Sequence, residues 1–315
     1  MDVEKPLVSI FVLTYNSSKT VLETLDSIRD LTYPNKELIV SDDASKDDTV
    51  AVCAKWLSAN ESRFKRVQHL TVEKNTGTTQ NFHRAATACK GEWLKGIAGD
   101  DALYPESISN LMDFCAAHPD ARMVLGNAGR FDTVLDDAHF TGVNGPDLSV
   151  IKVSTAKQQY DILLCWACID APAVFYHRSV FEDPDLQNCG YGVLEDYPLY
   201  LRFTKLGHYI YYCNTMVCKY RQSATSVQRT TNFNNLITKS YLAHFFGETH
   251  NYYHGIEKVA RYVVNCYNWV NCYCKSEILR KVFNTITYPI YWFFYRIHQK
   301  KNYQRIERAL AQESK

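Results

Sequence analysis

From Leu7 to the helix that follows Pro105, the chain alternates short apolar runs with helical repeats, and this alternation constrains the fold more than any other feature. Leu7 to Leu13 is a nearly continuous apolar run, as a strand buried on both faces requires. Val21, Leu22, Leu25 and Ile28 then recur at helical spacing. Leu38-Ile39-Val40 predicts a second strand ending at Ser41-Asp42-Asp43, followed by a helix over about Asp47 to Ser58 with acidic residues in its first turn. Val67 to Val72 predicts a third strand, Thr78 to Cys89 a third helix and Trp93 to Ala98 a fourth strand, and Pro105 opens the next helix. Repeated β-α-β units imply an α/β fold, a mostly parallel sheet flanked by helices.

Ligands of such sheets bind in the crevice beyond the carboxyl ends of the strands. The residues just after strands one, two and four are Thr14-Tyr15-Asn16, Asp42-Asp43 and Gly99-Asp100-Asp101. Asp and Asn favour turns anyway, so one such cluster means little. Three at successive strand ends converge on one crevice.

Several function classes are excluded. No G-x-G-x-x-G follows the first strand, and no G-x-x-x-x-G-K-[ST] is present, which argues against a dinucleotide site and a P-loop. The net charge of +1 gives no global field for nucleic acid. The start Met1-Asp2-Val3-Glu4-Lys5 lacks the basic and apolar regions of a signal peptide. The 11 cysteines have no regular spacing and read as reduced thiols of a cytoplasmic protein. Cys165 and Cys168 form a C-x-x-C, but Cys213 and Cys218 are a poor second pair for zinc.

Five blocks together resemble family 2 glycosyltransferases. They are Val8 to Asn16; Glu37 to Thr49; Asn75-Thr76-Gly77 with Asn81 and Lys90-Gly91-Glu92; Gly99-Asp100-Asp101; and Glu195-Asp196 with Leu199. The resemblance runs from about Pro6 to Arg221. It implies the GT-A (nucleotide-diphospho-sugar transferase) fold and inversion at the anomeric centre of a sugar donor, here expected to be a UDP-sugar.

The donor side implied by the resemblance comprises Thr14, Tyr15, Asn16, Asp43, Asn75, Gly77, Asn81, Arg84 and Asp100. Tyr15 can stack on a base, or simply pack. Asp43 can accept the N3 hydrogen of uracil; Asp42 is next best, or a turn cap. Arg84 can pair with the pyrophosphate or stand as an exposed helix arginine. Asp101 is the implied ligand of a divalent metal, Mn2+ or Mg2+, whose charge offsets that of the diphosphate. With one firm protein ligand, the metal is expected to bind well only with the nucleotide. Asp196, in the first turn of a helix entered from Cys189 to Leu194, is the implied base that takes the acceptor proton. Glu195 is the alternative base, or holds an acceptor hydroxyl; Trp166 and Asp170, with the stretch to Ala173, are expected on the acceptor side. The pattern departs from the family at Lys219-Tyr220-Arg221-Gln222-Ser223, where Ser223 stands in place of a histidine. There is no Q-x-x-R-W of a processive synthase.

These readings divide the chain into a catalytic domain, residues 1–230, and a helical, aromatic and basic region, residues 231–315. From Asn251 onward the net charge is +7, which leaves −6 for the rest. Val282 to Tyr295 is uncharged and aromatic but too short to span a bilayer. With its flanking bases it suits an anionic membrane surface, and equally a helix packed on the core or in a dimer. The expectation is transfer of one hexose or N-acetylhexosamine to a glycan acceptor, lipid-linked as on undecaprenyl diphosphate, at the inner face of the cytoplasmic membrane. The alternatives are a nucleotidyltransferase and a non-catalytic nucleotide-sugar-binding protein.

Overall fold

The computed structural model describes residues 5–143, 149–187, 190–222 and 231–311. Strands and helices alternate from the start: β1 (Val8–Thr14), α1 (Val21–Arg29), β2 (Lys36–Asp42), α2 (Thr49–Asn60), β3 (Val67–Thr71), α3 (Thr78–Ala88) and β4 (Trp93–Ala98). Then come β5 (Ala102–Leu103), α4 (Ser107–Ala117), β6 (Met123–Phe131), β7 (Phe140–Val143), α5 (Ala156–Leu163), β8 (Val174–His177), α6 (Ser179–Glu182), α7 (Tyr197–Lys205) and β9 (Tyr211–Arg221). Three helices close the chain, α8 (Thr231–Gly247), α9 (Gly255–Tyr273) and α10 (Glu277–Ala311).

All the strands join one sheet in the order β3-β2-β1-β4-β8-β6-β9-β5, with β7 beside β6. The first four strands are parallel, as their βα alternation dictates. Beyond β4 the sheet is mixed: β8 runs antiparallel to β4 and β6, and β6 parallel to β9. The expectation of a mostly parallel sheet therefore holds for its amino-terminal half and gives way where chain reversals replace crossovers. β1 and β2 are buried along nearly their whole length, which accounts for their continuous apolar character.

Two helix starts differ from expectation. α2 begins at Thr49, with no acid in its first turn, because the Asp47 carboxylate lies outside it and accepts from the Ser18 and Thr49 amides, both at 3.1 Å. α4 begins at Ser107, since the Pro105 carbonyl accepts from the Thr32 amide (3.0 Å) instead of starting the helix ladder.

The Lys90-Gly91-Glu92 block is part of a lock at the other end of the sheet from the crevice. The buried Glu37 carboxylate accepts from the Lys90 amide (2.5 Å), the Gly91 amide (3.1 Å), Arg66 Nε (2.7 Å) and Ser9 Oγ. Burial alone would raise its pKa, and these donors bring it below the ordinary value. A Cβ on Gly91 would lie 2.5 Å from the Ser9 nitrogen, so only glycine fits there.

α9 and α10 pack on each other as a hairpin, with Tyr267 stacked on Tyr291 at 4.2 Å and Asn271 paired with Asn284. The far end of α10 returns to the core, where Gln158 of α5 donates to the Ala309 carbonyl (2.8 Å) and the buried Asn302 donates to that of Cys165 (3.3 Å). Among the described residues no helix is long and apolar enough to cross a membrane.

Candidate active site

β1 and β2 end side by side, and each turns sharply through a left-handed residue, Asn16 at φ +53° and Ala44 at φ +65°. Asparagine tolerates that region; alanine does not, so Ala44 is strained. The turns are tied together. Asn16 Oδ1 accepts from the Lys46 amide (2.7 Å), and the Asn16 amide donates to Ser45 Oγ (2.8 Å). Asp42 accepts from Thr14 Oγ1 (2.8 Å), the Ser45 amide (2.8 Å) and Ser45 Oγ (2.5 Å). It is thus a turn cap, and Thr14 is one of its donors. Tyr15, after the buried Thr14, is 49% exposed with its ring open to stacking.

Asp43 is buried and heavily bonded. It accepts from the Thr76 amide, Thr76 Oγ1 (2.5 Å), the Gly77 amide (2.7 Å) and Arg84 Nη2 (3.0 Å). Burial pushes its pKa up, but the hydrogen bonds from Thr76, Arg84 and Gly77 outweigh it and the net shift is downward. Gly77, at φ +89°, lets the loop turn so that both amides face the carboxylate. Asn75 lies just before it, exposed. Arg84 also donates to Asn81 Oδ1 (2.8 Å) and Ser41 Oγ (3.1 Å), and Asn81 Nδ2 to the Ser41 carbonyl (3.1 Å). Arg84 and Asn81 thus form a wall behind Asp43, and the guanidinium is directed at that carboxylate.

Asp100 and Asp101 follow β4 in a different environment. Asp101 is buried, and its Oδ1 accepts from the Arg221 amide at 2.9 Å. Thr24 Oγ1 holds its carbonyl (2.6 Å), and Thr20 Oγ1 that of Gly99 (2.7 Å). Arg221 Nε donates to the Asp100 carbonyl (2.6 Å), while its Nη atoms reach the Thr133 carbonyl and Glu23. The Arg221 guanidinium therefore shapes the backbone under the acids, and only the Arg221 amide bonds one of their carboxylates. Burial raises the pKa of both acids, and Asp100 raises that of Asp101 further. Two adjacent carboxylates with few donors suit a hard divalent cation, so this pair fits the expected metal. Among the described residues no third His, Cys, Asp or Glu completes a closed metal site.

Glu195 and Asp196 stand at the start of α7, with Asp196 at the N-cap, one position before the expected first turn. Its Oδ1 accepts from the Tyr197 amide (2.6 Å). Burial raises the pKa of both; Asp196 adds to the effect on Glu195, and Asp170 to that on Asp196. The loop before them is wedged in place. Thr79 Oγ1 donates to the Gly192 carbonyl (2.9 Å), and Ser240 Oγ of α8 accepts from the Val193 amide (3.2 Å). Gly192 has φ +65°, and a Cβ there would meet Ser240 Oγ at 2.3 Å. Cys189, in the same loop, lies outside the described residues, as does Ser223.

Asp170 Oδ1 is paired with Arg130 Nη2 at 2.6 Å, whereas Asp170 Oδ2 and Arg130 Nε are buried with no partner among the described residues. Burial raises the pKa of the Tyr220 hydroxyl, and the charges of Asp101, Asp170 and Asp100 add to the shift. Trp166, after α5, is 38% exposed. Sequence reasoning missed Arg130, the work of Arg221, and Lys95, whose buried ammonium meets backbone carbonyls behind the site. The Tyr220-Arg221 pair was the one signal for the arginine. A cavity of about 520 Å³ lined by Lys5, Tyr33, Glu92, Trp93 and His177 lies at the opposite, amino end of β1 and β4 and holds none of the predicted site residues.

The model of the family described as Glycosyl transferase family 2 matches residues 9–182. The glycosyltransferase GlyG of Streptococcus pneumoniae is 25% identical over 71% of this chain and 73% of its own length. EpsE of Bacillus subtilis is 28% identical over 36% of this chain, which matches only 40% of that relative's length. Among solved structures, S. aureus TarS 1-349 in complex with UDP-GlcNAc superposes with a TM-score of 0.56 at 15% identity, over 97% of this chain and 92% of that one. A Pyrobaculum calidifontis mannosyltransferase with GDP-Man and Mn2+ gives 0.55 at 13% identity, over 99% and 89%. At such identities the likeness is one of fold, and the expected GT-A architecture is observed.

Proposed function

We propose, since the chain belongs to glycosyl transferase family 2 and is a glycosyltransferase, that it transfers a single hexose or N-acetylhexosamine from a UDP-sugar to a glycan acceptor with inversion. The observation that carries the reading is the pair of acids that follows β4, where buried Asp101 takes a single backbone donor at 2.9 Å, together with Asp196 at the N-cap of α7. Tyr15 stacks on the base and Asp43, rigid between Thr76, Gly77 and Arg84, marks its edge. Asp100 and Asp101 face the ribose and the diphosphate. A divalent cation held by Asp101 supplies the positive charge that the departing diphosphate needs. Asp196 takes the proton of the acceptor hydroxyl as that oxygen bonds to the anomeric carbon. The bond from that carbon to the diphosphate oxygen breaks, and UDP leaves. A raised pKa makes Asp196 a better proton acceptor than an ordinary aspartate.

The acceptor is proposed to be lipid-linked, and the protein peripheral at the inner face of the membrane. Support comes from the α9–α10 hairpin, which exposes Ile278, Leu279, Val282, Ile286, Trp292 and Phe293 beside Arg280, Lys281 and Arg296. Co-sedimentation with anionic but not zwitterionic vesicles is the expected result; no binding to either rejects the membrane role. The test of the reaction is a panel of UDP-sugars with Mn2+ and with EDTA. UDP should be released from one of them, and EDTA should stop it. Release of pyrophosphate from UTP and a sugar 1-phosphate, with no UDP release from any donor, would mark a nucleotidyltransferase, and no turnover of any donor a binding protein.

A further inference from the structure

Lys95 lies mid-strand in β4 and is 0% exposed. Few residues are costlier to bury, because a cation loses its hydration and regains it only through good partners. Its ammonium donates to the carbonyls of Gly96 (2.7 Å), Pro172 (2.6 Å) and Val174 (3.3 Å). No carboxylate is bonded to it among the described residues; Cys218 of β9 and Asp101 act on it electrostatically. An apolar side chain of similar length would fill the same space at less cost, so packing alone does not account for a lysine here.

The three carbonyls show what the lysine joins. Gly96 belongs to β4, the strand that ends at Asp100 and Asp101. Pro172 sits in the Ala171–Ala173 turn, whose preceding residue is Asp170. Trp93 of β4 stacks on Phe175 of β8 at 4.9 Å, but β4 and β8 pair only at Trp93–His177 and Leu94–Tyr176. Past that point the strand and the turn diverge. Lys95 bridges the gap where the ladder stops.

We propose that Lys95 is a positioning residue for sugar transfer. Its ammonium fastens the Ala171–Ala173 turn, and with it Asp170, to the strand that presents Asp100 and Asp101. It so sets the spacing between the diphosphate side and the sugar side of the crevice. The inference rests on the proposed roles of those acids. Because misplacing a reacting group by about 1 Å can cost on the order of 10²-fold in rate, a loosened turn should be felt in turnover before it is felt in binding.

The experiment uses the full chain, Mn2+ and the UDP-sugar turned over fastest in the panel. Lys95→Met should lower kcat for UDP release by at least about tenfold, with UDP affinity changed by less than about twofold. Its Tm should move by no more than a few degrees. Lys95→Gln, which keeps an N–H donor without the charge, should recover part of the lost rate. Unchanged kcat in Lys95→Met overturns the proposal, and so does a loss of UDP affinity as large as the loss of rate. If Gln does no better than Met, the hydrogen-bonded tie is not what matters and the proposal also falls. Asp101→Asn measured alongside separates the two levels: full activity in that variant means the reading of the acids has failed, whatever Lys95 does.

Discussion

The carboxylate just past β2, Asp43, and those that follow β4 stand at the same end of the sheet, yet they are built in opposite ways. Asp43 is surrounded by donors and its pKa is lowered; Asp101 is buried and Asp100 half-buried, both have few donors, and theirs are raised. Glu195 and Asp196 fall on the second side of this division. A saturated carboxylate is a finished piece of architecture, able to present an edge but with little capacity left. An unsaturated one is incomplete until a cation, a proton or a hydroxyl arrives. The comparison therefore separates groups that shape the pocket from groups that act in it.

The largest effect should come from Asp101. Asp101→Asn removes the charge where a cation would bind and should abolish UDP release, with no rescue by excess Mn2+. Its Tm should hold or rise, because a buried charge with few partners is removed. A fall in Tm together with activity would erase the distinction from Asp43. Asp196→Asn comes next. It cannot take a proton, so transfer should drop by about 10²–10⁴-fold while UDP affinity stays the same. Asparagine caps a helix as well as aspartate does, so full activity would reduce Asp196 to a cap and move suspicion to Glu195.

Asp43→Ala should behave in the reverse manner. It leaves the Thr76 and Gly77 amides without their carboxylate acceptor, while Arg84 keeps Asn81 and Ser41, at roughly 1–3 kcal/mol in all. Both Tm and UDP affinity should fall, the latter by roughly 10- to 100-fold from the loss of a charged acceptor, and kcat at saturating donor should change least. Unaltered UDP binding by calorimetry would remove Asp43 from the base site.

How legible this division was in the sequence depended on distance along the chain. Carboxylates at strand ends stand out because a continuous apolar run that stops at Asp-Asp leaves the acids nowhere but the crevice. Which of them would be saturated did not stand out. That depends on Thr76 and Arg84, more than 30 residues away from Asp43, and on Arg221, 120 residues from Asp101. Lys95 was hidden for a related reason: within Trp93 to Ala98 it reads as a blemish in an apolar strand, and its partners are carbonyls, which any residue supplies. The mixed half of the sheet was equally obscure, because β6, β8 and β9 follow no βα rhythm. Lys90-Gly91-Glu92 was read correctly as part of a family block, but its amides serve Glu37 at the far end of the sheet.

The smallest predicted effect is also the most specific to the comparison. Burial, aided by Asp196, raises the pKa of Glu195 above that of an ordinary glutamate. A native state that holds a proton the unfolded chain has released is favoured at low pH. Glu195 therefore contributes stability that is fully present below its unfolded pKa of 4.5 and is lost as pH rises through the folded value. Glu195→Gln removes this titration while keeping the shape. The variant and the wild type should melt alike near pH 4.5, and the variant should gain on the wild type as pH rises toward 8, by a few degrees at most in a chain of this size. The same pH series on Asp43→Asn should run the other way, because a lowered pKa contributes stability above the ordinary carboxylate range and loses it on acidification. Opposite slopes would show that one crevice holds two kinds of acid. A flat difference for Glu195→Gln would mean that water or a neighbour already satisfies this carboxylate, and the under-bonded group would shrink to Asp100, Asp101 and Asp196.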